Sequence, residues 1–209
     1  MTVWPRGARE MIDMADRNTT SKRDRAPAGF RRGRGFGRHE GGSVVIEFAV
    51  LIVPFCLLVF AILESCIAFA AQQVLANATD DVAREFRTGR IKPADVIKDP
   101  FLVSKKICAK LEVLVTTGCP ELEIDLQNYE TFKEAADKQV SFTGTGKNRD
   151  IDTDDFAIDP GMSGSKNQLR VFYRWPVVTD LMRRSMSNLK DGKTLLYATV
   201  TWQNEPFED

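Results

Sequence analysis

The chain has 209 residues, and 29 Lys/Arg balance 29 Asp/Glu, so its formal charge is zero. That balance gives no reason to expect bulk nucleic-acid binding, and it hides an asymmetry. The first 42 residues hold ten Lys/Arg against five Asp/Glu, whereas acids slightly outnumber bases from Gln72 onward. The sole histidine, His39, lies in the basic part, so a Ser-His-Asp enzyme is not expected from the rest, and no cofactor is implied.

Residues 1–42 are polar, Arg/Gly-rich and without apolar periodicity, which predicts a disordered leader. The tract Gly29 to Arg38 has the look of an RNA-binding Arg-Gly run. A basic flank beside a membrane segment explains it more cheaply.

That segment follows at once. From Val44 to Ala71 there are two charges, Glu47 and Glu64, and 17 of the residues are Leu, Ile, Val or Phe. A span needs about 20 apolar residues. At roughly −0.3 to −0.6 kcal/mol each, the apolar side chains supply on the order of −8 kcal/mol. A central acid costs about 2.5–3.5 kcal/mol on such a scale, and both glutamates lie off centre. Insertion therefore wins, and a transmembrane helix is predicted over 43–71. Pro54 should kink it. The excess of Lys/Arg before the span places the N-terminus in the cytoplasm and the part after it outside.

Beyond the span, 138 residues (72–209) suffice for one compact domain. Ala71, Leu75, Ala78, Val82 and Phe86 recur at helical spacing, so one helix of about 45 residues should run from the membrane to a C-cap at Gly89. Pro93 opens a short segment and Pro100 breaks it. Val103, Ile107, Leu111 and Leu114 form a second helical stripe. Leu122, Ile124 and Leu126 alternate with Glu123, Asp125 and Gln127, the pattern of a half-buried strand. Ser141 to Lys166 reads as a long polar connection. Leu169, Val171, Tyr173 and Trp175 make a second strand, ended by Pro176. Thr179 can cap a short helix carrying Met182, Met186 and Leu189. Leu195 to Trp202 is the third strand. The expected fold is α+β, with a long N-terminal membrane helix and an outer domain of mainly antiparallel sheet and flanking helices.

Glu47 stands five residues after Gly42, in Gly42-Ser43-Val44-Val45-Ile46-Glu47-Phe48-Ala49. An acid inside a membrane helix needs a partner. With Pro54, Glu64, Gln72-Gln73 and the ending Val200 to Phe207, these residues resemble the TadE-like pseudopilins of the tight-adherence (Flp) pilus assembly system. The resemblance implies a minor pilin-like subunit, not an enzyme, that is needed for pilus assembly. It implies cleavage between Gly42 and Ser43 by a prepilin peptidase. It further implies a single-pass inner-membrane protein with a periplasmic domain, and contacts with other pilin-like subunits and the assembly platform. Glu47 would meet the freed N-terminus of a neighbouring subunit, although Ser43 of the same chain is also within reach at i,i+4. The alternative is a signal-anchored periplasmic envelope or sensor protein with no pilus role.

Glu64 lies about 100° round the helix from Glu47, so the two do not form a metal pair. It is expected either to face another membrane helix in the assembly or to sit at the outer interface as a tolerated acid.

Cys56 and Cys66 fall in the span and are expected to be free. Cys108 and Cys119 fall outside, in an oxidising compartment on this topology. In one continuous helix their Cα atoms would be about 16 Å apart, too far to bond. The threonines and Gly118 let the chain turn back, so a disulfide is expected, contributing roughly 3 kcal/mol. Asp150, Asp152 and Asp154 begin like a calcium loop. However, Asp155 stands where the turn glycine belongs and Gly161 where the bidentate acid belongs. A solvated acidic loop is expected there.

Overall fold

The computed structural model describes residues 41–208. The expected disordered leader lies outside the described residues except for Gly41 and Gly42, which begin the first helix. That helix, α1 (Gly41–Arg87), is one unbroken element of 47 residues and continues through Pro54. Ala71, Leu75, Ala78, Val82 and Phe86 form its buried stripe. Its end is a Schellman motif: Gly89 donates to Phe86 O (3.0 Å) and Arg90 to Glu85 O (2.9 Å). Gly89 has φ 70°, and a Cβ there would lie 2.7 Å from the Phe207 ring. Glycine is thus required twice, by the backbone and by the close approach of the C-terminal tail.

Helix α2 (Pro93–Lys98) starts on proline, whose missing N–H is one the first turn could not bond. Helix α3 (Leu102–Leu111) buries Val103, Ile107, Cys108 and Leu111. Its stripe stops one turn earlier than the spacing predicts. Leu114 donates back to Leu111 O (2.8 Å), and the Glu112 carboxylate accepts from Gly118 N (3.0 Å). This turn carries Cys119 to Cys108, and the expected disulfide is present with Cα atoms 5.8 Å apart.

Strand β1 (Leu122–Tyr129) follows, then α4 (Phe132–Asp137), β2 (Phe142–Thr143) and β3 (Asp150–Ile151). Strand β4 (Lys166–Pro176), α5 (Asp180–Met186) and β5 (Lys193–Gln203) complete the chain. The main sheet has the order β1-β4-β5 and is antiparallel throughout. Between β1 and β4 the polar connection is not featureless: β2 pairs with β3, and Leu126 bridges Ile158. Thr131 caps α4 by accepting from Glu134 N.

The sheet has two covered faces. One carries Leu126, Leu169, Val171, Tyr173 and Trp175 into a core shared with α1 and α3. The other carries Phe172, stacked on Phe156 (5.1 Å) and tilted against Tyr197 (5.0 Å), together with Arg170 and Asp125. Strand β1 is therefore not half-buried as its alternation predicts. Asp125 is 1% exposed because the connection after β1 folds over it. Its carboxylate pairs with Arg170 and accepts from Ala157 N (3.1 Å) and Gln127 Nε2 (2.7 Å).

Candidate membrane and assembly site

Helix α1 has two halves with different surroundings. Between Val44 and Leu63, thirteen large apolar side chains are more than half exposed. So large a contiguous apolar surface is not stable in water and marks a membrane or protein contact. The helix is long and apolar enough to cross a membrane. Gly42 and Ser43 lie in its first turn, and Glu47 is exposed on its surface. Cys56 and Cys66 are unbonded.

Glu64 begins the second half. Its carboxylate accepts from Val178 N and from Thr179 N (3.2 Å), and the Thr179 hydroxyl also donates to it. These are amides at the start of α5, where Thr179 in turn accepts from Met182 N (3.4 Å). One carboxylate thus accepts from the two amides that lead into α5 and from the hydroxyl of the residue that caps it. Ser65 Oγ lies 3.8 Å from the sulfurs of both Met182 and Met186, so α5 runs beside α1 at this level. Thr179 was legible as a cap; that Glu64 shares the task was not. The two lie 115 residues apart, and no local spacing links them.

Directly beside Glu64 an apolar cleft of about 700 Å³ opens between α1 and the sheet. Phe60, Leu63 and Ile67 form one wall, and Trp175, Pro176 and Val178 the other.

Farther along, side chains of α1 clamp the outer domain. The Gln72 amide donates to Tyr197 O (2.8 Å) and accepts from Tyr197 N (3.2 Å), which satisfies one residue on the open edge of β5. Lys106 pairs with Glu85 (2.8 Å) and Lys110 with Asp81, joining α3 to α1. Phe86 stacks on Trp202 at 6.4 Å, and the Trp202 indole donates to Asn204 (2.8 Å). Arg87 pairs with Glu205 (3.1 Å), and Glu205 N donates to Arg87 O (2.9 Å). The end of the chain is therefore stitched to the end of the long helix.

The acidic stretch proves partly buried. Asp150 pairs with Arg174 (2.9 Å) and Lys190 (3.0 Å). Burial alone would raise its carboxyl, but the bonds from Arg174 and Lys190 outweigh it and hold it below the usual carboxylate range. Burial would likewise lower the Arg174 guanidinium, but Asp150 and Glu123 hold it above its ordinary value. Asp150 is thus committed to two cations of the fold. Asp152 caps the backbone of Asp154 (3.2 Å).

The family model described as TadE-like protein matches residues 42–84. This chain carries a TadE-like segment. The match starts at Gly42 and covers the exposed half of α1, Glu64, Gln72 and most of the buried stripe. The resemblance at Val200 to Phe207 lies outside the matched residues. No curated protein and no solved structure matches the chain. The TadE-like segment thus lies on the helix that is long and apolar enough to cross a membrane.

Proposed function

We propose that this protein is a pseudopilin of a tight-adherence pilus, cut between Gly42 and Ser43 and needed for pilus assembly. The observation that carries the reading is where the TadE-like segment begins, on Gly42 in the first turn of the apolar helix. On this reading the protein is a structural subunit rather than an enzyme. Its partners are a prepilin peptidase, other pilin-like subunits and the assembly platform. It sits in the inner membrane with its domain in the periplasm.

Cleavage frees the Ser43 amine, which carries charge near neutral pH. Glu47 supplies the opposite charge inside the membrane, where an isolated ion is costly. The neighbour's N-terminus is its proposed partner. Glu64 plays a different part. Its carboxylate is engaged within the chain, so it orders the domain on the helix instead of recruiting another subunit.

The two requirements separate by mutation. Gly42→Leu puts a bulky side chain where the peptidase must approach the backbone, so the full-length chain should persist with its leader attached. Glu47→Ala removes an intramembrane acid, so insertion and cleavage should continue while assembly fails. Mass spectrometry of the N-terminus and counts of surface fibres read both outcomes. Normal fibres from both variants would leave a plain membrane anchor. An alkaline-phosphatase fusion after Phe86 should be active; an inactive one would reverse the orientation.

A further inference from the structure

The apolar surface of α1 does not stop where the helix meets the domain. It passes through Phe60 and Leu63 into the cleft, and from the cleft to Val178, which precedes α5 and is 77% exposed, and Leu181 on α5, which is 54% exposed. Val44 to Leu63 is about 20 residues, or about 30 Å of helix, which equals the hydrocarbon thickness of a bilayer. Exposed apolar side chains continue past it to Ile67 (49%) and Phe69 (71%). Counted as one bilayer thickness from Val44, Glu64 falls at the boundary on the domain's side. At that boundary its charge is already matched by the amides of Val178 and Thr179, so the cleft edge presents no unpaired carboxylate. Trp175 lines the cleft at the same level, where tryptophan is favoured in bilayers. Arg184 is exposed on α5, within the element that carries Leu181.

We propose that the membrane covers more of this protein than its helix. The cleft and the edge formed by Val178 and Leu181 at the start of α5 are seated in the leaflet on the domain's side, with phospholipid acyl chains filling the cleft and Arg184 at the phosphates. The exposed Asp180 carboxylate, paired with Arg183 (2.9 Å), lies at the headgroup level. Continuity with the apolar span selects lipid over other occupants. With Arg183 engaged by Asp180, Arg184 is the arginine of α5 left to the headgroups, where one such charge adds attraction on the order of 1 kcal/mol for anionic lipid. Seating α5 in this way fixes the tilt of the outer domain over the membrane, since Glu64 and Ser65 tie α5 to α1. The inference rests on reading α1 as a membrane span.

The experiment uses the full chain in vesicles of phosphatidylethanolamine and phosphatidylglycerol, in a Cys56→Ala, Cys66→Ala background that keeps the disulfide. Spin labels are placed by Val178→Cys and Leu181→Cys. Leu57→Cys serves as the mid-span reference and Ile97→Cys as the aqueous one, Ile97 being 81% exposed on α2. Collision with oxygen and with a water-soluble nickel chelate reports depth. Labels at 178 and 181 should lose about half or more of the nickel collisions seen at 97, as expected for side chains at the headgroup and acyl boundary. The loss should persist when the protein is diluted in lipid. If 178 and 181 match 97 while 57 reads deep, the span stands and the lipid seat falls. If the protection disappears on dilution, a second copy covers the surface and the lipid seat falls as well. If 57 also reads as aqueous, the span and the lipid seat fall together.

Discussion

Toward α1 and α3 the central strand β4 presents Leu169, Val171, Tyr173 and Trp175; on its other face it presents Gln168, Arg170, Phe172 and Arg174. Both sets are largely buried, but by different physics. The first set buries carbon against carbon, which needs no particular orientation. The second buries charge and hydrogen-bonding groups, which is costly unless they find partners; the two arginines do, and Gln168 bonds through its Nε2 but not its Oε1. The first face holds the domain to its helix. The second holds a long polar connection to the sheet. Robust packing thus lies on the side that must bear the long helix, and specific pairing on the side that gives an irregular segment one shape.

The largest test of this contrast is on the polar face. Asp125→Ala leaves Arg170, 2% exposed, without its counter-charge, and should cost about 3–5 kcal/mol. It should also free the segment around Ala157, whose N–H the same carboxylate accepts. Asp125→Leu combined with Arg170→Met should recover most of that stability, because an apolar pair avoids the desolvation. Thermal or urea unfolding of the solubilised full chain measures both. A double variant as unstable as the single one would show that the pair itself, rather than the orphaned charge, sets the stability.

On the apolar face the response should be graded. Leu75→Ala opens a cavity at a fully buried position and should cost about 2–5 kcal/mol, with no second substitution able to rescue it electrostatically. Leu57→Ala, a side chain 51% exposed on the same helix, should leave the unfolding of the domain unchanged. Equal losses at 57 and 75 would mean that the outer half of the helix is packed in protein, not lipid. Reduction of Cys108–Cys119, which ties the end of α3 to the start of β1, should cost roughly 3 kcal/mol. Both cysteines should resist alkylation until reduced.

The same contrast explains what could be read in advance. Periodicity exposed α1, α3, the three long strands and the apolar face, because each signal is a local repeat of carbon. It misassigned Asp125, since alternation takes a charged residue to face water and cannot foresee a cover supplied by residues 156–158. The two-residue strands β2 and β3 are too short to carry a period. Helix α4 did carry a signal: Thr131-Phe132-Lys133-Glu134 has the spacing of a capping box. At the membrane site, Gly42, Ser43 and Glu47 were visible as a motif. The seat of Glu64 on α5 and the bond from Gln72 to β5 were not, because each joins residues more than 100 positions apart.

The smallest effect expected on the polar face comes from Asp150. Its carboxyl is held below the ordinary range in the folded chain, so the unfolded chain takes up protons first as the pH falls. Its contribution is therefore fully present above about pH 4, the ordinary aspartate value, and is lost as the pH drops through the lower folded value. Asp150 bonds Arg174, which is 12% exposed, and Lys190, which is 50% exposed, so solvent weakens the second pair more than the first. Asp150→Asn should cost on the order of 1 kcal/mol at neutral pH, at the lower end for hydrogen bonds to charged groups. That difference from the unmutated chain should shrink below about pH 4 and vanish at lower pH still, where both chains carry a neutral side chain at 150. Unfolding curves at a series of pH values would show it. A difference that stayed constant down to the acid limit would mean that Asp150 acts through its shape and not its charge, and would make the hairpin it anchors an ordinary packed turn.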